Sequence, residues 1–245
     1  LRTKRLTVKV TFNNQERLKD LAGRVSSQIE ADSLDLLNSF ENISFLEEFG
    51  FTEENAMSMY FPNTYEVYWD ISPDDFRKKM QNYYKSFWNK KRLNLAKKIK
   101  LDPNEVYILA SIVQKESIKN EEKNRIAGVY INRMRRNMKL QADPTVIYAL
   151  KKQNKDYNKI IKRVLYKDLK IKSRYNTYQY NGLPPGPICM PDISSIEAVL
   201  NYEKHSYLYF VVSPSKPGYH IFSERLDKHN QNKMKYISWL NQNKI

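Results

Sequence analysis

Leu6, Val8, Val10 and Phe12 are apolar and the residues between them mostly polar, an alternation that predicts a half-buried strand. The period then changes. Leu18, Leu21, Ala22, Val25 and Ile29 recur at three- and four-residue spacing, predicting a helix that Asn13 to Glu16 would open as a capping box. A second capped segment starting at Asp32 buries Leu36, Leu37 and Phe40, and Phe45 to Phe49 makes a short apolar piece ended by Gly50. The run from Met59 to Trp69 is aromatic and interrupted by Pro62, which reads as a turn leading into a short strand. Aromatic residues at this density form either core or a wall on which sugars stack. Asp74 to Lys100 is one long amphipathic helix or two.

The strongest helix start lies at Asp102-Pro103-Asn104-Glu105, with an N-cap acid, proline at the first helical position and a glutamate closing a capping box. Leu109, Ile112, Val113 and Glu116 follow at helical spacing, so an acid appears where the stripe asks for an apolar residue. Two readings are open. Glu116 either marks the last turn, where it pairs with one of the many lysines, or it is a partly desolvated carboxyl whose pKa rises toward ~6–7 and suits a general acid at neutral pH. Asn120 is read as the cap of a second helix through Ile126, Val129, Tyr130 and Met134, with Asn137 as a left-handed terminal residue. The loop from Lys139 to Asp143 then returns toward Glu116. Asp143-Pro144 opens a third helix, Thr145 to Leu150, with Asp143 as N-cap or as a second acid in a cleft. Tyr175 to Tyr178 forms a polar aromatic loop before the rigid turn Gly182 to Pro187. Ser206 to Val212 and Tyr219 to Ser223 are two strands of a hairpin around Pro214 to Gly218, and a helix from Arg225 to Trp239 follows.

Composition narrows the classes. The chain has 245 residues and 41% apolar content, enough for one large domain or two small ones. It contains no run of about 18 apolar residues, and the start LRTKRLTVKV lacks a signal-peptide core, so any anchor of the natural protein is expected outside these residues. One cysteine, Cys189, excludes an internal disulfide and any multi-cysteine metal site. His205, His220 and His229 fall in different elements without ligand spacing, so no metal and no cofactor is expected. The net charge of +15 points to an acidic partner. Lys85 to Lys100 holds seven basic residues and no acid, and Lys151 to Arg174 holds ten against Asp156 and Asp168. Both read equally as solvated faces or binding patches. No zinc-finger spacing or RNP-type motif supports nucleic acid, and a phosphate-rich membrane surface or an anionic cell-wall polymer accounts for the charge as well.

The blocks ASIVQKES, IAGVYINRM, MKLQADPTVIY, YNTY, GLPPGPI, YLYFVV, YHIFS and KHN, in that order, cover Ala110 to Asn230, and FPNTYEVYW extends them toward the N-terminus. Together they resemble the YceG-like endolytic murein transglycosylase (MltG) family. The resemblance implies an α+β fold, with a helical catalytic core and small antiparallel sheets over residues 51–245. The strand and helix of residues 1–50 would be the edge of a LysM-like module. It also implies cleavage of the β-1,4 bond between N-acetylmuramic acid and N-acetylglucosamine within glycan strands, leaving 1,6-anhydro ends. The family's catalytic glutamate falls on Glu116, and the first glutamate of that block is replaced by Gln114. Gln141, Asp143, Thr145, Asn176, Thr177 and Tyr178 would orient the sugars. The implied partners are peptidoglycan strands and penicillin-binding protein synthases, at the outer face of the bacterial inner membrane. The alternative from a different class is a non-catalytic module that binds peptidoglycan or nucleic acid.

Overall fold

The computed structural model describes residues 5–243; the first four residues of the LRTKRLTVKV start and residues 244–245 lie outside it. Alternation produces β1 (Thr7–Phe12), with Val10 and Phe12 buried. It pairs antiparallel with β2 (Asn63–Tyr68), Val8 opposite Val67 and Phe12 opposite Asn63, so the N-terminal strand is completed only by a segment about fifty residues on. Between them run α1 (Leu18–Ser26), α2 (Ser33–Phe40) and α3 (Ile43–Glu48). Asp32 caps α2 through Leu34 and Asp35 as its position predicts. The capping box expected at Asn13 to Glu16 does not form. Glu16 instead accepts from Lys115 (2.7 Å) and Lys151 (2.9 Å), and α1 begins after Arg17 without a side-chain cap. Two strong ion pairs outcompete one local hydrogen bond for the same carboxylate.

The aromatic run is core. Tyr60 and Phe61 are fully buried, Phe61 packs on Phe87 (4.4 Å between ring centroids), and the Tyr107 hydroxyl donates to the Tyr60 carbonyl (2.6 Å). Only Tyr68 and Trp69, at the end of the run, are exposed large rings. Asp74 to Lys100 resolves into two helices, α4 (Pro73–Phe87) and α5 (Lys90–Lys98), because Asn89 turns its side chain to the Arg92 amide and starts the second.

The centre of the molecule is α6 (Pro103–Glu116), which carries the predicted capping box in full and buries every residue from Val106 to Val113. Packed on it are α7 (Asn120–Arg135), α8 (Asp143–Asn154) and α9 (Ile193–Leu200). Asn120 is the first helical residue of α7 rather than its cap, and α8 continues four residues past Leu150 to a left-handed Lys155. Asn137 adopts the left-handed conformation assigned to it. Helix α9 is not among the predicted elements; it is eight residues long, as α2 is, but has no side-chain cap at Asp192 to mark its start. The hairpin follows as β3 (Tyr209–Val212) and β4 (His220–Ser223), in register with Tyr209 opposite Ser223, and α10 (Leu226–Gln242) packs against both strands. Ten α-helices and two two-stranded antiparallel sheets among the described residues make an α+β fold. No helix among them is long and apolar enough to cross a membrane.

Gly186, in the turn between the polar aromatic loop and α9, meets the chain before the aromatic run. A Cβ there would lie 1.9 Å from the carbonyl oxygen of Glu54. Backbone cannot swing aside as a side-chain tip can, so Gly186→Ala is expected to cost about 2–3 kcal/mol or more. Urea unfolding followed by circular dichroism will show the lowered midpoint. By contrast Gly23→Ala, which meets nothing within 4 Å, is expected to leave it unchanged or raise it.

Candidate active site

Because the capping box fixes where α6 begins, the helical period fixes where each side chain emerges. Glu116 is the last residue of α6, on the same stripe as Leu109, Ile112 and Val113, and the chain turns to extended backbone at Ser117. The carboxyl group is half-buried. Its Oε1 accepts a hydrogen bond from the hydroxyl of Tyr130 on α7 at 2.5 Å, and Tyr130 itself is 1% exposed. Burial drives the Glu116 pKa up to about 7; the Tyr130 hydrogen bond opposes this, nearby Asp143 adds to it, and Arg133 opposes it again. The group therefore titrates around neutrality, the range in which a carboxyl is able to give and take a proton.

Glu116 opens onto a cleft of about 280 Å³. Tyr130, Arg133, Gln141, Asp143 and Tyr178 line it beside Glu116, and Tyr209, Phe210, His220 and His229 line it from the hairpin and α10. Arg133, on α7 one turn after Tyr130, is nearly buried. Its Nε donates to the Leu208 carbonyl (2.7 Å) and its Nη1 to the Lys139 (3.1 Å) and Leu140 (2.7 Å) carbonyls and to Gln141 Oε1 (3.3 Å). One guanidinium thus ties the start of the hairpin to the loop that returns from α7 to α8.

The sequence-derived residues separate into two groups. Gln141, Asp143 and Tyr178 reach the cleft. Gln141 is exposed and sits at φ 52°, with its amide donating to the Thr177 carbonyl (3.1 Å). Asp143 does not cap α8, whose N-cap position is Ala142; its Oδ1 accepts from the Tyr178 hydroxyl at 2.6 Å across the cleft floor. That contact takes the carboxylate away from the helix amides. Thr145, Asn176 and Thr177 are buried behind the cleft wall. The Thr145 and Thr177 hydroxyls lie 2.9 Å apart, Thr177 Oγ1 accepts from the Ala142 amide (3.0 Å), and Asn176 Nδ2 donates to the Leu169 and Ile171 carbonyls. These three hold the lip of the cleft in place.

Four cleft residues escape a reading of the sequence. Tyr130 belongs to the core stripe of α7, and Arg133 hides among 42 lysines and arginines. His220 and His229 come from different elements, and the hairpin folds both onto the cleft. Glu122 of α7, itself 5% exposed, accepts from the His220 amide (2.9 Å) and faces His220 Nδ1 (3.0 Å), which fixes the ring. His229 stacks on Tyr209 (5.3 Å), and burial together with Lys233 and Arg133 lowers its pKa. Gln114 points elsewhere. It bonds Ser195 (2.5 Å) and Asp192 (3.1 Å) at the start of α9, beside the buried amine of Lys123 (3.2 Å). Among the described residues no group of three or more potential ligands could hold a metal ion.

Two measurements test this electrostatic picture. In Tyr130→Phe the ionised Glu116 loses its donor, so its pKa is expected to rise by about one unit, read from the labelled carboxyl carbon by NMR titration. Because the folded-state pKa is raised, the native state loses stability as pH climbs from the unfolded value near 4.5 through about 7. Glu116→Gln removes that loss. Relative to the parent, the variant is expected to gain on the order of 2 kcal/mol between pH 4.5 and pH 8 in denaturant unfolding.

The sequence profile of the YceG-like family matches residues 1–235. An endolytic murein transglycosylase of Bacillus subtilis (strain 168) is 40% identical over 183 residues, 74% of this chain and 48% of that protein. One from Streptococcus pneumoniae serotype 2 (strain D39 / NCTC 7466) is 33% identical over 138 residues, 56% of this chain and 24% of that protein. The chain thus spans half or less of the curated relatives it matches. The 2.6 Å crystal structure of a YceG-like protein from Listeria monocytogenes superposes with a TM-score of 0.73 at 29% identity, over 91% of this chain and 74% of that one. With nearly its whole length matched by the family profile, the chain belongs to the YceG-like family.

Proposed function

We propose that this chain carries the catalytic part of an endolytic lytic transglycosylase that cuts peptidoglycan glycan strands, with Glu116 as the catalytic residue. The observation that supports this best is the position of Glu116: a carboxyl at the end of a buried helix, opening on a cleft, with a pKa near 7, while the other acid of the cleft, Asp143, is engaged by Tyr178. Hydrolysis of a glycosidic bond ordinarily requires two carboxylates, one as acid and one as base or nucleophile. A transglycosylase needs fewer groups from the protein, because the nucleophile is the C6 hydroxyl of the same N-acetylmuramic acid. In the first step Glu116 gives its proton to the glycosidic oxygen as the bond from that oxygen to C1 breaks. In the second, the Glu116 carboxylate takes the proton of the C6 hydroxyl as O6 bonds to C1. The product is a 1,6-anhydro end, no water is consumed, and Glu116 finishes protonated as it began. Intramolecular attack lowers the barrier by about 7 kcal/mol or more when the geometry is right, which lowers the demand for a strong protein nucleophile.

Gln141, Asp143 and Tyr178 are the proposed sugar contacts, since they line the cleft, whereas Thr145, Asn176 and Thr177 act by holding Ala142 and the 176–178 lip. Residues 1–50 are proposed as the edge of a LysM-like module and 51–245 as the catalytic domain. The proposed setting is the outer face of the bacterial inner membrane, anchored by a helix outside these residues and working beside penicillin-binding protein synthases.

Purified glycan strands incubated with the protein are expected to yield internal fragments with anhydro-muramyl ends by mass spectrometry. Glu116→Gln is expected to lower their rate by at least a thousandfold. If the parent makes none, or the variant as many, the catalytic reading fails and a binding module is left.

A further inference from the structure

Residues 155–174, between α8 and the lip of the cleft, form an irregular loop with one short 3-10 turn at Asp168–Lys170. Its eight lysines and arginines are all exposed, and none makes a salt bridge among the described residues. Both acids in the loop are engaged by its own backbone: Asp156 accepts from the Lys159 amide (3.1 Å) and Asp168 from the Leu165 amide (2.8 Å). The positive charge is therefore free of partners, and three apolar side chains stand in water among it. Ile160 and Tyr166 are each 83% exposed and Leu165 47%. Tyr157 and Ile171 hold the loop to the rest of the protein, and between them it borders a half-open hollow of about 270 Å³ lined by Ile147, Tyr148, Ile160, Ile161 and Ile188.

The other basic stretch makes a useful contrast. Within Lys85 to Lys100 the apolar residues Phe87, Trp88, Ala96 and Ile99 are buried and one leucine, Leu93, is exposed (43%), close to an ordinary solvated helix face. A soluble phosphate polymer or a duplex nucleic acid needs only the cations, and a single strand adds bases that stack on a tyrosine ring. None of them gives a reason for the aliphatic Ile160 and Leu165 to project beside Tyr166. A bilayer with anionic lipids answers both features, with phosphates for the basic side chains and an interfacial layer that takes aliphatic groups and a tyrosine ring. We infer that the 155–174 loop is a docking surface for an anionic lipid bilayer, its cations on the headgroup phosphates and Ile160, Leu165 and Tyr166 entering the interface. The loop is tied to the cleft, because Asn176 Nδ2 holds the carbonyls of Leu169 and Ile171. Docking thereby fixes the height of the cleft above the lipid. This surface is independent of the chemistry assigned to Glu116.

The test uses the whole chain with sonicated vesicles at 0.15 M salt, either phosphatidylcholine alone or with half its lipid replaced by phosphatidylglycerol. Binding by cosedimentation is expected to be at least tenfold tighter to the anionic vesicles. The double substitution Ile160→Asn with Tyr166→Asn keeps the net charge and is expected to weaken it at least fivefold while leaving retention on heparin unchanged. Replacing Lys159, Lys162 and Arg163 by glutamine is expected to weaken it similarly, whereas replacing Lys90, Lys91 and Lys97 is not. In Tyr166→Trp the indole emission is expected to shift to the blue on anionic vesicles. The inference is overturned if the two glutamine triples lose binding equally, since net charge alone then acts, if the Asn pair binds as the parent does, or if the indole stays in water. Thermal unfolding of each variant, all at exposed positions, checks that the fold is intact.

Discussion

A carboxyl at the end of α6 is disfavoured as an anion for two separate reasons. It has lost water, and the negative charge of nearby Asp143 repels its own. Without compensation it would simply remain protonated. Tyr130 and Arg133, one turn apart on α7, supply a hydroxyl donor and a nearby cation, which bring the proton affinity back within reach of neutrality. The packing of α7 against α6 is thus an electrostatic arrangement as well as a hydrophobic one. The buried run from Val106 to Val113 gives it the rigidity to hold a 2.5 Å contact.

Around this pair the cleft is assembled from loops, which by themselves would be too mobile to place polar groups. Each is anchored by a buried polar contact. Arg133 gathers carbonyls from Lys139, Leu140 and Leu208, the hydroxyls of Thr145 and Thr177 join α8 to the lip, and Glu122 fixes His220. Such groups are expensive to bury unless satisfied, so each also specifies one arrangement of its loop over others.

What the sequence made legible follows the range of the interaction. The capping box of α6, the left-handed Asn137 and the hairpin all arise from neighbours in the chain, and the residues announce them, whereas they left Asp74 to Lys100 open between one helix and two. Glu16 does not cap α1 because its partners, Lys115 and Lys151, lie in distant helices. Asp143 leaves the start of α8 for Tyr178, a residue on another loop. His220 and His229 look unrelated until the hairpin and α10 fold back onto α7. The stripe of α7 likewise conceals Tyr130, because a tyrosine at an apolar position looks the same whether its hydroxyl meets water or a carboxyl. The resemblance in the motif blocks carried the attention to Glu116; period alone left it between two readings.

Glu16 has a consequence that reaches beyond its own ion pairs. Its two lysines come from α6 and α8, the helices that respectively end in Glu116 and begin with Asp143. The segment before the first helix therefore acts as a keystone between the two helices that carry the site's acids, without itself lining the cleft. Shortening the chain to residues 51–245 would strip β2 of its partner strand and leave Lys115 and Lys151 without the anion between them. An engineer who treats the N-terminal segment as a detachable accessory would be loosening the hinge on which the acid is mounted.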